Sequence, residues 1–483
     1  MRRVGAVPSA ISRRRFLQAS LAAGAALMLP QRQTTAQSIS RPRVFIIGAG
    51  FAGLSCAYQL HRAGADVLVL EARNRLGGRV LTLGNVIPGQ LIEGGAELVG
   101  GNHPTWMAYA KEFGLTMRDV SDDDDLASPL LINGKSYANQ AANRLFAEMD
   151  KALALMNSDA RFINRDRPWL TADAARLDQR SLADVASHWS VEPDVRAAAL
   201  ALLANDSATN PSEASYLGIL STIAGGGIEA FWTESEIYRC AEGNQALATK
   251  LASAIGSDRI ALRTPVERVS LQHNGVLLAT ADGQQFRGDL VVFTAPPSTW
   301  AQMEIQPQLA AELRPFAGPA IKYISAVDRP FWQDSDLGPN ALTSSAIGET
   351  WDASDGQRLT PQDAGAFTVF SGGAAAQQCL QIPKRQRDAQ MTTWINAIYP
   401  HYGSAVRKRL FMAWPEERWT ACGYSCPSLG EVTSIYPRLE EGIQDKLFFA
   451  GEYASLLFTD YMEGALHSGA VLAGRIAKRL NLA

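Results

Sequence analysis

The sequence predicts an α/β fold: a domain built on a parallel sheet, interleaved along the chain with a mixed α+β domain that includes a helical subdomain. Three observations carry this expectation. After residue 42, two short continuous apolar runs flank a helical pattern; an Ala- and Leu-rich stretch from about 140 to 235 has helical spacing; and a strand, turn and helix pattern returns beyond residue 446. Continuous apolar runs suit strands buried on both faces, as parallel strands are. The 483 residues also exceed what one hydrophobic core usually organises.

The first forty residues stand apart. They hold six Arg and no acidic residue, with Arg13-Arg14 inside Ser12-Arg13-Arg14-Arg15-Phe16-Leu17 and an apolar stretch from Phe16 to Pro30 behind them. This pattern predicts a twin-arginine signal peptide over 1–36, cleaved after Ala36. The apolar stretch is too short and too rich in Ala and Gly to span a bilayer, and no other stretch approaches 18 apolar residues. Stable membrane insertion is therefore not expected, and the mature chain is expected in the periplasm or outside the cell. Twin-arginine export carries folded proteins, often around a cofactor. The remaining 39 basic and 48 acidic residues give a net charge of −9, which offers no basic field for nucleic acid.

Val44 to Ile47 reads as a buried strand, Gly48-x-Gly50-x-x-Gly53 follows it directly, and a helical pattern runs from Leu54 to Ala63. Val67 to Leu70 is a second buried strand ending in Glu71, which completes a Rossmann-like βαβ opening. The glycines permit a tight turn and a close backbone approach to a pyrophosphate, with the helix N-terminus facing the phosphate charge. Glu71 is placed to accept hydrogen bonds from a ribose diol. NAD and FAD both satisfy this much.

In the helical stretch, Ser181 and Asp206 are cap-like. β patterns return at Arg259 to Val269, Gly275 to Thr280 and Leu290 to Phe293, and a mixed region spans about 300 to 414. Lys446 to Glu452 reads as a strand entering a turn, and Tyr461 to Leu480 as a helix. The chain is thus expected to leave and re-enter one nucleotide-binding domain, formed by 42–121, 236–300 and 415–483. Residues 122–235 and 301–414 are expected to build the substrate domain. The charge run Asp122 to Asp125 reads as a solvated loop. No Cys/His group has zinc spacing, and no Gly-x-Ser-x-Gly elbow is present, so neither metal nor acyl-transfer chemistry is expected. Five Cys are too few and too scattered for a disulfide scaffold. Cys422 and Cys426 are close enough either to pair or to remain two buried thiols.

Four further segments narrow the reading. They are Glu71-Ala72 to Gly77-Gly78-Arg79, Ile92-Glu93-Gly94-Gly95-Ala96-Glu97, Leu447 to Gly451-Glu452-Tyr453, and Tyr461-Met462-Glu463-Gly464-Ala465. From about residue 42 to the C-terminus, the chain resembles the flavin monoamine oxidase and L-amino-acid oxidase family. The resemblance implies a Rossmann-like FAD-binding domain. Gly48, Gly50, Gly53, Glu71, Ala72 and Arg79 would hold the ADP half, with Gly95, Ala96, Glu97 and Leu98 along the flavin. Val266 would meet adenine through its backbone, and Glu452 would face the pyrophosphate and ribityl region. Tyr461 and Met462 would open a helix toward the pyrimidine edge, where its N-terminal partial charge stabilises reduced flavin.

On the reacting side, Pro319 to Tyr323 resembles the family segment whose lysine is hydrogen-bonded through water to flavin N5, which implies that role for Lys322. Tyr461 matches the aromatic that flanks substrate, and Leu429 stands where a second aromatic would complete the wall. Ser428 matches the position at which some relatives carry a cysteine joined to flavin, so non-covalent FAD is expected. Glu97 is expected either to meet a cationic substrate group or to bind the ribityl chain or a backbone N–H. The resemblance implies oxidative deamination of an L-amino acid, with basic side chains favoured, to a 2-oxo acid and ammonia. Hydride would pass to flavin N5, and O2 or another acceptor would reoxidise the flavin. The alternative is a primary-amine or polyamine oxidase. A desaturase-like or porphyrinogen-oxidising flavoprotein, or a non-catalytic flavin-binding protein, comes behind both.

Overall fold

The computed structural model describes residues 41–121, 126–358, 360 and 362–482. The expected export signal and the run Asp122 to Asp125 lie outside the described residues.

The opening unit is β1 (Arg43–Ile47), α1 (Phe51–Arg62) and β2 (Asp66–Leu70). A hairpin of β3 (Leu130–Ile132) and β4 (Lys135–Tyr137) follows. Its Asn133-Gly134 turn has φ of 52° and 77°, the backbone that two-residue hairpin turns require. Helices then dominate to residue 234, among them α2 (Asn139–Leu153), α3 (Pro193–Asp206) and α4 (Tyr216–Gly225). Ser181 is a true N-cap, its Oγ accepting the Asp184 N–H at 3.0 Å. Asp206, by contrast, is the last residue of α3 rather than a cap. Strands resume with β5 (Ile260–Ala261), β6 (Leu290–Phe293), β7 (Ala320–Val327), β8 (Leu342–Thr343), β9 (Glu349–Asp352), β10 (Gly365–Gly372) and β11 (Val406–Ala413). The chain closes with β12 (Leu447–Phe449) and α5 (Met462–Arg479).

Two sheets organise these elements. The first is wholly parallel, in the order β12-β6-β1-β2-β5, with Ile47 paired to Leu70 on one side and Phe293 on the other. Val44 to Ile47 and Leu290 to Phe293 are buried throughout, which explains why these strands are apolar without alternation. Helix α5 packs on α1 at short range: a Cβ at Gly469 would stand 2.3 Å from the Ala52 carbonyl oxygen. The C-terminal helix therefore belongs structurally with the first. The second sheet has seven strands in the order β11-β7-β10-β9-β8-β3-β4. Its strand β7 is buried along its whole length between antiparallel neighbours β10 and β11. A lysine in that strand is thereby carried into the interior. No helix among the described residues is long and apolar enough to cross a membrane.

Candidate active site

A cavity of about 1190 Å3 runs between the two sheets. One end is lined by Gly48, Gly50, Glu71, Ala72, Arg79 and Val266, and the other by Lys322, Trp351, Tyr424, Tyr461 and several carboxylates. Gly95, Ala96, Glu97, Leu98, Glu452 and Met462 also face it. Thus every residue expected from sequence to hold the cofactor lines this one space, except Gly53, which lies behind it. Gly53 matters through contact: a Cβ there would sit 2.0 Å from the Gly48 carbonyl oxygen. Gly48 itself adopts φ of 111°, and its Cβ would meet Thr294 Oγ1 at 2.7 Å.

The donors and acceptors of this end fit a dinucleotide. Helix α1 opens at Gly50 with no side-chain cap, so its first backbone N–H groups are available to a pyrophosphate. Glu71, buried at the end of β2, accepts the Ala49 and Arg73 N–H groups at 2.7 Å each, which fixes its carboxylate at the cavity wall. Arg79 donates to Glu452 Oε1 and to the Gly423 carbonyl, both at 2.8 Å. Helix α5 likewise opens at Tyr461 and Met462 with no side-chain cap. It directs a second helix N-terminus into the same cavity.

Lys322 and Glu97 meet at the other end. Lys322 Nζ lies 2.5 Å from Glu97 Oε2 and 3.3 Å from the Glu93 carbonyl oxygen, and 5.2 Å from the Trp351 ring centre. Arg239 Nε lies 2.9 Å from Glu97 Oε1, and Trp351 Nε1 donates to that oxygen at 3.0 Å. Burial alone would raise the Glu97 pKa. The adjacent Lys322 and Arg239 charges outweigh it and hold the carboxyl below its ordinary range. Neither expectation for Glu97 named these partners: two cations of the protein and an indole share its oxygens, while its side chain also lines the cavity.

The second wall also differs from expectation. Leu429 is 40% exposed and lies off the cavity. Ser428 is off it too, its N–H donating to Glu431 at 3.0 Å. The chain reaches the cavity five residues earlier than Leu429, at Gly423 and Tyr424. The Tyr424 hydroxyl donates to the Asn205 carbonyl at 3.0 Å, and its ring stacks with Phe370 at 14°. The intervening residues turn away through the short strand Tyr424–Ser425. Cys422 and Cys426 are buried free thiols.

Four carboxylates that sequence reasoning did not assign to the site face the cavity: Asp206, Glu236, Glu349 and Asp460. Asp206 and Glu349 share a hydrogen bond, and Asn205 Nδ2 donates to Glu349. Burial, and after it the charge of neighbouring carboxylates, raises the pKa of Asp206 and Asp460 well above normal and pushes Glu236 up to about 7. Burial likewise raises Glu349, against the hydrogen bonds it makes. None of the four has an ion-pair partner among the described residues. The cavity's cations are different: Arg73, Arg79, Arg239 and Lys322 each lie within 4.0 Å of a carboxylate. Only Asp460, next to the motif residue Tyr461, had a local signal that could have drawn attention to it.

A parallel sheet with a glycine-rich strand-to-helix turn, joined to a mixed sheet across a long cavity, is an arrangement that fits an oxidoreductase with a nucleotide cofactor. The family model for flavin containing amine oxidoreductases matches residues 51–477, and the chain belongs to that family. It is 25% identical over 469 residues to a probable flavin-containing monoamine oxidase A of Dictyostelium discoideum, covering 90% of this chain and 98% of that protein. It is 23% identical over 463 residues to an L-amino acid dehydrogenase of Synechocystis, covering 89% and 94%. Among solved structures, a putrescine oxidase bound to putrescine superposes with a TM-score of 0.81 at 21% identity, over 91% of this chain and 99% of the other. Cyclohexylamine oxidase from Brevibacterium oxydans superposes with a TM-score of 0.80 at 23% identity, over 91% and 100%. The fold is that of the amine oxidases, and a flavin is the cofactor the family implies.

Proposed function

We propose that the protein is an exported, FAD-dependent amine oxidase whose substrate is a primary amine with a second positive charge, a diamine or polyamine rather than an amino acid. The observation that carries this reading is the charge pattern of the cavity. Its cations are matched by carboxylates, whereas Asp206, Glu236, Glu349 and Asp460 have no ion-pair partner among the described residues. A carboxylate-bearing substrate would face this acidic wall, where every cation already has a protein carboxylate within 4.0 Å. A substrate with two ammonium groups supplies the missing counter-charge, and buried charges are stable only when paired. In the Lys322–Glu97–Arg239 cluster the Glu97 carboxylate lies between both cations and offsets their attraction for a substrate carboxylate.

FAD supplies a two-electron acceptor for the hydride that leaves the carbon next to nitrogen. The protein's residues do the rest. Arg79, Glu71 and the N-termini of α1 and α5 hold the cofactor; Tyr461 and Tyr424 confine the amine; Lys322, fixed by Glu97, stands where it can place a water. The oxidised substrate is an iminium ion, which water hydrolyses to an aldehyde and ammonium. Non-covalent binding is supported by the cavity lining, which contains no cysteine, rather than by Ser428.

The purified protein should be yellow and should release its colour on acid precipitation. Anaerobic mixing with putrescine, spermidine, phenylethylamine, L-Lys, L-Arg and L-Phe should bleach the flavin fastest, per unit concentration, with the first two. Bleaching by L-Phe that equals or exceeds putrescine would overturn the substrate assignment while leaving the oxidase assignment intact.

A further inference from the structure

The four cavity carboxylates occupy different stations. Asp206 and Glu349 form a hydrogen-bonded pair, and the charges acting on Asp206 are those of Glu349, Glu236 and Asp460. Asp460 is influenced by Glu452 and Glu236. Glu236 feels the charges of Glu97 and Lys322 as well as that of Glu349, takes a hydrogen bond from the Tyr461 hydroxyl, and lines the cavity with all of them. It therefore stands between the Lys322–Glu97 end of the cavity and the Asp206–Glu349 pair. Its position just before the strand Tyr238–Cys240, which carries Arg239, ties it to the same end.

Building on the amine-oxidase reading above, we propose that Glu236 is the general base of the reaction: it accepts the proton of the reacting ammonium group, while Asp206 and Glu349 hold the distal one. The step is a proton transfer without redox change. The ammonium R–CH2–NH3+ and the Glu236 carboxylate become the free amine R–CH2–NH2 and the Glu236 carboxylic acid. The nitrogen lone pair released in this way is what allows the neighbouring C–H to depart as hydride. In an enclosed site the transfer turns an ion pair into two neutral groups, the form burial favours.

A base is needed because an amine with a pKa near 10.4 is neutral in only about 1 molecule in 2,500 at pH 7. Glu236 is suited to the task near neutrality. Burial and the Glu349 charge push its carboxyl up to about 7, with Glu97 adding to the rise and Tyr461 and Lys322 opposing it. The ionisable groups facing it include Asp206, Glu349, Asp460, Glu97, Lys322, Arg239, Tyr424 and Tyr461. Glu236 lines the cavity, interacts with Lys322 and Tyr461, and has no ion-pair partner among the described residues.

The test is the pH dependence of anaerobic flavin reduction by putrescine. In the wild type the rate should rise through pH 7 and level off. In Glu236→Gln it should fall by about 10²–10⁴-fold at pH 7.5, the usual share of a general base, and recover toward pH 10 as free amine becomes available. Tyr461→Phe, which removes the hydrogen bond that lowers the Glu236 pKa, should move the wild-type limb upward. A limb near pH 7 that survives in Glu236→Gln, or a loss of rate that is the same at every pH, would overturn the proposal. Failure of every amine to bleach wild-type flavin would instead overturn the amine-oxidase reading, and this one with it. A readout independent of turnover uses 2-methylpropan-2-amine, which has no hydrogen on the carbon bearing nitrogen. At pH 8.5 its binding should create a protonated-carboxyl band in the infrared difference spectrum of the wild type and none in Glu236→Gln. No such band in the wild type, or the same band in the variant, would count against Glu236.

Discussion

Glu97 holds two cations and an indole with one buried carboxylate. Its removal leaves Lys322 and Arg239 in the interior with less counter-charge, and breaking a buried pair by deleting one partner costs about 3–5 kcal/mol. Glu97→Gln is therefore expected to lower the melting temperature, to weaken flavin retention and to slow putrescine and phenylethylamine alike. Thermal melts and kcat/KM on both substrates check this, and a loss confined to the dication would return Glu97 to the substrate pocket. Lys322→Met has a different expected signature. It leaves Glu97 with Arg239, so the protein should fold and keep its flavin, but reduction or reoxidation in stopped flow should slow much more than substrate affinity falls. Unchanged half-reactions would remove Lys322 from the chemistry. Lys322, Glu71 and Arg79 were legible in the sequence because each sits in a compact local pattern. The partnership of Glu97 was not, because Arg239 and Lys322 arrive from positions more than 140 residues away, and no local spacing encodes that meeting. The second wall failed for a smaller reason: Tyr424 and Leu429 occupy one segment, and only the reversal of the chain after Ser425 decides which of them faces inward.

At the scale of elements, the opening βαβ unit was readable because parallel strands buried on both faces have no need of alternation and the glycines fall at the strand-to-helix turn. The turn also leaves no room for a side chain. A Cβ at Gly53 would lie 2.0 Å from the Gly48 carbonyl oxygen and 3.1 Å from its carbon, and backbone cannot rotate aside as a side chain can. Gly53→Ala should thus displace the start of α1, destabilise the protein by about 1–3 kcal/mol as overpacking does, and reduce flavin content after desalting by disturbing the helix N-terminus. The measurements are the visible-to-ultraviolet absorbance ratio and the chemical denaturation midpoint. Retention of full flavin content with an unchanged midpoint would show that the turn has more room than these distances allow. Helix ends were less legible. Ser181 caps as its local pattern predicts, because capping is decided within three residues. Asp206 shares the same residue-type signal, yet it ends α3 and faces the cavity. A short polar side chain at a helix end has two possible reasons to be there, and only the packing of α3 against the second sheet chooses between them.

At the scale of the whole molecule, the cofactor end of the cavity is closed by segments around residues 47–98, 265–302, 414–424 and 451–465. No one of these segments can form it alone, and the first and last pack together through α1 and α5. A dinucleotide held by four separate segments would be enclosed most simply as the chain folds, with the flavin present where folding is completed. The export proposed from Arg13-Arg14 agrees with this, because a twin-arginine route carries folded proteins and would deliver this one with its cofactor already bound. Replacing both Arg13 and Arg14 by Lys should leave folded, yellow, active protein in the cytoplasm. Substituting a signal for an unfolded-chain export route in place of residues 1–36 should instead deliver protein that is poor in flavin and unstable. Cell fractionation with flavin fluorescence on each fraction distinguishes these outcomes. Normal periplasmic delivery of the double-lysine variant would overturn the export assignment. Full flavin content after delivery as an unfolded chain would leave that assignment standing but remove the argument from folding, since the cavity would then be able to fill from outside after its four segments had closed.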